Sequence, residues 1–241
     1  MALMKFLCEI PSRISGMFYV NRCIGCDKPI KKHFLCRDCA EAYFNESIEV
    51  CQGCGKSFPF CRCAIDYLSG SDLIYALPYK AENSVTREMI LFFKERKHKG
   101  ITEELAERTN AALNVNGEFE DYLLTYIPRS RDRKTETGVD QTKELALIMA
   151  KKTKLPLIKT IYCRETHQQQ KFLSRRQRDE HANIRFVLRR GAEKIIKDKN
   201  IILLDDVVTS GASMKRCAEL LRRGGAKKVV CIASARSVKY L

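Results

Sequence analysis

Ile201-Ile202-Leu203-Leu204-Asp205-Asp206-Val207-Val208-Thr209-Ser210-Gly211-Ala212-Ser213 runs from bulky apolar residues into two adjacent carboxylates, then two more apolar residues, then a string of small ones. An unbroken apolar run of this kind is the habit of a strand buried on both faces, as in a parallel sheet. Beyond it, Met214, Cys217, Leu220 and Leu221 recur at helical spacing. The stretch therefore reads as strand, acidic step, small-residue loop, helix. The free N–H groups of such a loop and of the helix start make a nest for a phosphate. The acids fall at the strand's C-terminal end, where open α/β sheets bind ligands. Together they suit a phosphorylated sugar, with hydroxyls on Asp205 and Asp206 and the phosphate in Thr209 to Ser213. A P-loop is excluded, because no Gly-Lys-Ser/Thr follows.

The 241-residue chain is long enough for one large or two modest domains, and 45% hydrophobic residues provide for a real core. Its formal net charge of +15 points toward nucleic acid, phosphorylated ligands or an anionic membrane surface. No apolar run approaches the roughly 20 residues of a spanning helix. Residues 1–20 are expected to form a helical segment. The apolar run from Met1 to Ile10 is interrupted by Lys5 and Glu9, so it makes a poor signal peptide. The expected location is the cytoplasm, with peripheral contact at the inner face of the membrane as a further option.

Eight of the 12 cysteines fall between Cys23 and Cys63, in close pairs. The pairs are Cys23 with Cys26, Cys36 with Cys39, Cys51 with Cys54, and Cys61 with Cys63. A C-x-x-C knuckle presents two thiolates to one ion, and two knuckles complete a tetrahedral zinc site. Two tandem zinc ions, on 23/26/36/39 and 51/54/61/63, are the simplest arrangement; spacing also permits a crossed pairing or a single ion. Such a module, over 21–66, would fold on metal rather than on a core of its own.

The remainder, 67–241, alternates strands and helices. Asp72 to Tyr79 reads as a strand. Val85, Met89, Ile90 and Phe93 mark a helix that turns basic at Lys94 and is expected to end at Gly100. A second helix is predicted over Thr102 to Leu113, and strands over Tyr122 to Ile127, Leu155 to Tyr162 and Val229 to Ala235. The order is that of a parallel α/β sheet. Arg129, Ser130, Arg131 and Arg133 follow the Tyr122 strand, where forked guanidiniums can receive a pyrophosphate. Residues 164–190 are strongly basic and read as a mobile loop or loose helix above the sheet. Lys171, Arg175, Arg176 and Arg178 are its candidates for tracking a single-stranded nucleic-acid backbone. Phe172 and Phe186 are candidates for stacking on bases, with burial the commoner fate.

The 13-residue stretch resembles the signature of type I phosphoribosyltransferases: four apolar residues, two acids, two apolar residues, then Thr-Thr/Ser-Gly-x-Ser/Thr. Fused to a cysteine-rich module, it resembles the ComF family of competence proteins. Three further stretches carry that likeness: Glu88 through Lys94 to Gly100; Pro128 to Gln141, with Arg133 and Gly138; and Thr166, Gln170, Leu173-Ser174-Arg175, Arg178 and Asn183. Departures are Arg129-Ser130 where Leu-His is usual, Thr137 where arginine is common, and Val139-Asp140 for Phe-Asn.

The resemblance implies a type I phosphoribosyltransferase-like parallel sheet flanked by helices, preceded by a zinc-ribbon-like module. It implies that Asp205 and Asp206 bind the ribose of phosphoribosyl pyrophosphate, held with Mg²⁺, while the loop through Val207, Val208, Thr209, Ser210, Gly211, Ala212 and Ser213 wraps the 5-phosphate. It further implies a role in handling single-stranded DNA during uptake, beside a helicase and a recombination mediator. The alternative is an active phosphoribosyltransferase in which Asp205 and Asp206 order the ribose for attack by a nucleobase or amine.

Overall fold

The computed structural model describes residues 21–63, 72–80, 82–129, 138, 140–164 and 186–237. Six strands are found among them: β1 (Asp72–Tyr79), β2 (Tyr122–Tyr126), β3 (Ile161–Cys163), β4 (Phe186–Leu188), β5 (Asn200–Val208) and β6 (Lys228–Ser237). The helices are α1 (Arg37–Ile48), α2 (Val85–Glu95), α3 (Lys99–Asn114), α4 (Gln141–Thr153), α5 (Ala192–Ile196) and α6 (Ala212–Arg223).

Four strands form one sheet in the order β1-β6-β5-β2, every pair parallel. The Ile201–Leu204 run thus occupies an inner strand, and all four of its residues are 0% exposed. Burial on both faces is what makes the run continuously apolar instead of alternating. Alternation reappears in which layer each side chain meets. Ile202, Leu204, Val230, Ile232 and Leu124 face α2, α3 and α4. Ile201, Leu203, Val229, Cys231 and Tyr75 face the opposite layer, which holds Met214, Cys217, Ala218 and Leu221 of α6.

The cysteine-rich segment reaches both layers. Tyr43 of α1 joins the core on the α2–α4 side. Cys51, Phe58 and Cys61 join the core on the α6 side. The chain therefore passes around the outer strand β1 between one cluster and the other. Glu46, on α1, is buried against the start of α2. It accepts hydrogen bonds from the Ser84 hydroxyl (2.9 Å), Val85 N–H (2.8 Å) and Thr86 N–H (2.9 Å). These are among the helix's orphan donors, so a residue 39 positions upstream of Val85 serves as part of its N-terminal cap.

Two expected boundaries differ. The helix opened by Val85 stops at Glu95, and Gly100 lies inside the next helix. His98 is the reason: its ring accepts from Ile101 N–H at 3.3 Å and starts α3 two residues before the glycine. The run from Leu155 to Tyr162 is not one strand. Leu157 makes a single parallel bridge to Leu124, and Ile161–Cys163 turns away to pair antiparallel with β4. That pairing also places Phe186 in the core, 2% exposed, so it is not available to stack on a base. Phe172 and the expected segment 1–20 lie outside the described residues.

Candidate functional site

Asp205 and Asp206 close the buried run of β5. Adjacent strand residues point to opposite faces, and each acid has its own surroundings. Asp206 is 7% exposed. Its Oδ2 accepts from Arg129 Nη2 at 3.1 Å, and its Oδ1 accepts from Val207 N–H at 2.7 Å. Asp205 is part-buried, and its Oδ1 accepts from Asp206 N–H at 2.9 Å.

The environments drive the two protonation equilibria apart. Burial, then the neighbouring Asp206 charge, push the Asp205 carboxyl well above the usual carboxylate range. Burial opposes charge on Asp206 as well, but Lys94 and Arg129 outweigh it and hold that carboxyl below its ordinary value. The two carboxyls therefore hold their protons unequally, Asp205 the more tightly and Asp206 the less, as neighbours of sugar hydroxyls that both give and take hydrogen bonds.

Arg129, just past β2, is held twice. Besides Asp206, it donates from Nη1 to the Lys94 carbonyl at 3.1 Å. Gln141 Nε2, at the start of α4, donates to the same carbonyl at 2.9 Å. Two donors on one carbonyl lock the end of α2 to β2 and α4 beside the acids. Lys94 also places its Nζ 6.0 Å from the Tyr79 ring centroid. Its charge acts on both acids. Lys94, marked in the sequence as the basic turn of a helix and as part of the stretch that carries the family likeness, belongs to this constellation.

The small-residue loop leads straight into α6. Gly211 stands in the left-handed region at φ 77°, where a side chain would be strained. As the N-cap it has no side chain to cap the helix, so the first N–H groups of α6 stay open to an anion. Thr209 is exposed, Ser210 and Ser213 are part-exposed, and Val207 and Val208 are buried supports. Ser130, Arg131, Arg133, Lys171, Arg175, Arg176 and Arg178 lie outside the described residues.

The eight paired cysteines gather into two clusters, Cys23/Cys26/Cys36/Cys39 and Cys51/Cys54/Cys61/Cys63, with sulfurs in each within 4.8 Å of one another. Cys26 and Cys36 sulfurs are 3.6 Å apart, and those of Cys51 and Cys63 3.8 Å. Four thiolates about 2.3 Å from a tetrahedral ion stand about 3.8 Å apart, so both donor sets fit a metal such as zinc. Gly25 makes the first cluster possible: a Cβ there would lie 2.8 Å from the Cys39 sulfur. Burial disfavours the Cys23 thiolate, but N–H groups led by that of Cys36 outweigh it and bring the thiol down to about 7.

Residues 133–239 match the family model described as the phosphoribosyl transferase domain. A ribose-phosphate pyrophosphokinase from Thermococcus kodakarensis is 46% identical over 39 residues, 16% of this chain and 14% of that protein. The transcriptional regulator GfcR of Picrophilus torridus is 42% identical over 40 residues, 17% of this chain and 20% of that protein. The chain thus spans a fifth or less of the curated relatives it matches. Among solved structures, purine phosphoribosyltransferase from Pyrococcus horikoshii aligns at TM-score 0.36 and 13% identity, covering 60% of this chain and 88% of that one. A hypothetical protein from Neisseria gonorrhoeae with bound ppGpp aligns at TM-score 0.39 and 10% identity, covering 61% and 74%. Among the described residues no helix is long and apolar enough to cross a membrane.

Proposed function

We propose that this chain is a ComF-like competence protein that binds phosphoribosyl pyrophosphate with Mg²⁺ and handles single-stranded DNA during uptake. The observation that carries the reading is the divided acid pair at the end of β5, followed at once by the uncapped start of α6. Ribose hydroxyls would take Asp205 and Asp206, of which Asp206 ionises the more readily. The 5-phosphate would sit on the N–H groups of Thr209 to Ser213. Arg129, released from Asp206 by the incoming sugar, would turn with Arg131 and Arg133 to the pyrophosphate. Mg²⁺, which favours oxygen ligands and keeps to substrate phosphates, would bridge the diphosphate. Zinc in both cysteine clusters would be structural. The excess of 44 basic over 29 acidic residues favours a polyanionic partner.

A second reading, an active phosphoribosyltransferase, draws on the family-model match over residues 133–239. One experiment separates the two. Labelled single-stranded DNA is titrated at several salt concentrations, with and without phosphoribosyl pyrophosphate and Mg²⁺, while pyrophosphate is monitored. We expect Mg²⁺-dependent ligand binding that is lost when Asp205 and Asp206 both become Asn, salt-steep DNA binding, and no pyrophosphate release. Changing Arg175, Arg176 and Arg178 together should flatten the salt slope by about 2, at roughly 0.7 per phosphate contact. Pyrophosphate release with an acceptor base would favour the enzyme. Absence of ligand binding would overturn both readings.

A further inference from the structure

Arg129 and Asp206 form an ion pair in which each side chain is only 10% exposed. The guanidinium is held on two edges: Nη2 donates to Asp206 Oδ2 and Nη1 to the Lys94 carbonyl, both at 3.1 Å. Asp206 Oδ1 is taken by Val207 N–H at 2.7 Å. Both oxygens of Asp206 are thus engaged by the protein itself, and a sugar hydroxyl that takes Oδ2 in place of Arg129 must displace the guanidinium. Separating a buried ion pair is costly, because each charge loses its compensation. A hydroxyl brings no charge to replace the one displaced. Arginine stays charged in proteins, so the freed guanidinium needs a new anion. The Lys94 carbonyl needs nothing: Gln141, 2% exposed, still donates to it from Nε2 at 2.9 Å. Arg129 can therefore leave without orphaning its anchor.

We propose that Arg129 is a specificity-determining residue: its ion pair with Asp206 is a filter that admits a sugar phosphate carrying a second anionic group, a diphosphate at C1, and turns away the singly phosphorylated sugar. The filter rests on the proposed ribose-phosphate site and deepens it. The 5-phosphate is committed there to the N–H groups of Thr209 to Ser213, so it is not free to satisfy Arg129. A diphosphate offers the forked guanidinium two oxygens at once and replaces the carboxylate that it left. Ribose 5-phosphate breaks the same pair and supplies no substitute. The discrimination lies in the pair that must open first, not only in the contacts made afterwards.

The test titrates ribose 5-phosphate and phosphoribosyl pyrophosphate, at one Mg²⁺ concentration, into the full chain and into Arg129→Met, which keeps an unbranched side chain but no charge. Isothermal titration calorimetry reads the affinities. The parent should prefer the diphosphate by about 100-fold or more, the scale of a broken buried pair. In Arg129→Met, ribose 5-phosphate should bind about 10-fold tighter or more than in the parent, and the preference for the diphosphate should shrink by at least that factor. Ribose 5-phosphate that binds the variant no tighter than the parent, or that binds neither, overturns the filter; if the parent still binds the diphosphate, the ligand reading stands. Failure of both ligands to bind either protein overturns the ligand reading and the filter with it. Should Arg129→Met fail to fold by circular dichroism, the parent decides alone. Without Mg²⁺, inorganic pyrophosphate should raise its affinity for ribose 5-phosphate several-fold, because only a protein cation can then couple two anions. No rise refutes the proposal.

Discussion

Asp205 and Asp206 are neighbours in the chain but opposites in chemistry. A group whose folded-state pKa is raised binds its proton more tightly when folded, so its contribution is complete below the unfolded value and is lost as pH rises. Asp205 is such a group, and its window opens from about pH 4 upward. Asp206 is depressed, and its contribution is lost only as pH falls below that range. Asp205→Asn should therefore gain on the parent chain as pH climbs from about 4 to neutral. We expect a melting-temperature gap on the order of 3 °C at neutral pH, equivalent to about 1 kcal/mol for this chain length. Differential scanning fluorimetry of the two proteins across that range checks it; a gap that does not widen with pH contradicts the assignment. The two acids and their loop were legible because thirteen consecutive residues carry the pattern. Lys94 was marked by the family likeness of the stretch from Glu88 to Gly100, but its place beside the acids depends on where α2 ends in space, 35 residues before Arg129. The partition of charge between the acids was equally hidden, since it comes from Arg129 and Lys94 in space.

Elements were read well where periodicity was strong and poorly where a single side chain set the boundary. β1, β5 and β6 carry continuous apolar runs, and all three are strands of the sheet. The break between α2 and α3 is made by the His98 ring, a local cap that no apolar spacing reports. The stretch after α4 carries strand-like residues, yet its pairing with the sheet is one parallel bridge, Leu157 to Leu124, plus the Thr160 hydroxyl on that of Thr125 at 2.8 Å, before the chain supplies β3 for its antiparallel partner. The cap of α2 is farther still from anything spacing can reveal: it arrives from Glu46 on another helix. Glu46→Ala should leave the part-buried N–H of Val85 and the buried N–H of Thr86 without their carboxylate and cost about 2 kcal/mol, in the range of lost caps and orphaned donors. Hydrogen exchange of the first turn of α2 should quicken, and the denaturant midpoint should fall. Unaltered exchange at residues 85–88 would mean that Ser84, which accepts from Arg87 N–H at 3.1 Å, caps the helix by itself.

At the scale of the whole molecule, the cysteine-rich segment is tied to the α/β part by more than sequence continuity. Tyr43 donates to Glu104 at 3.1 Å, and the Arg108 guanidinium stacks 5.3 Å from the Tyr43 ring. Lys80, just after β1, pairs with Glu49. On the other face, Phe58 and Cys61 bury themselves against Tyr75 and its neighbours. Cysteine spacing announces the two cysteine clusters but carries no trace of this embrace, which depends on long-range packing alone. Its mechanical meaning is that of a buckle rather than a tether. Severing the backbone between residues 64 and 71, with an inserted protease site, should leave two fragments that still co-migrate through gel filtration and part only in denaturant. Fragments that separate in native buffer would mean that the grip is too weak to hold without the covalent strap.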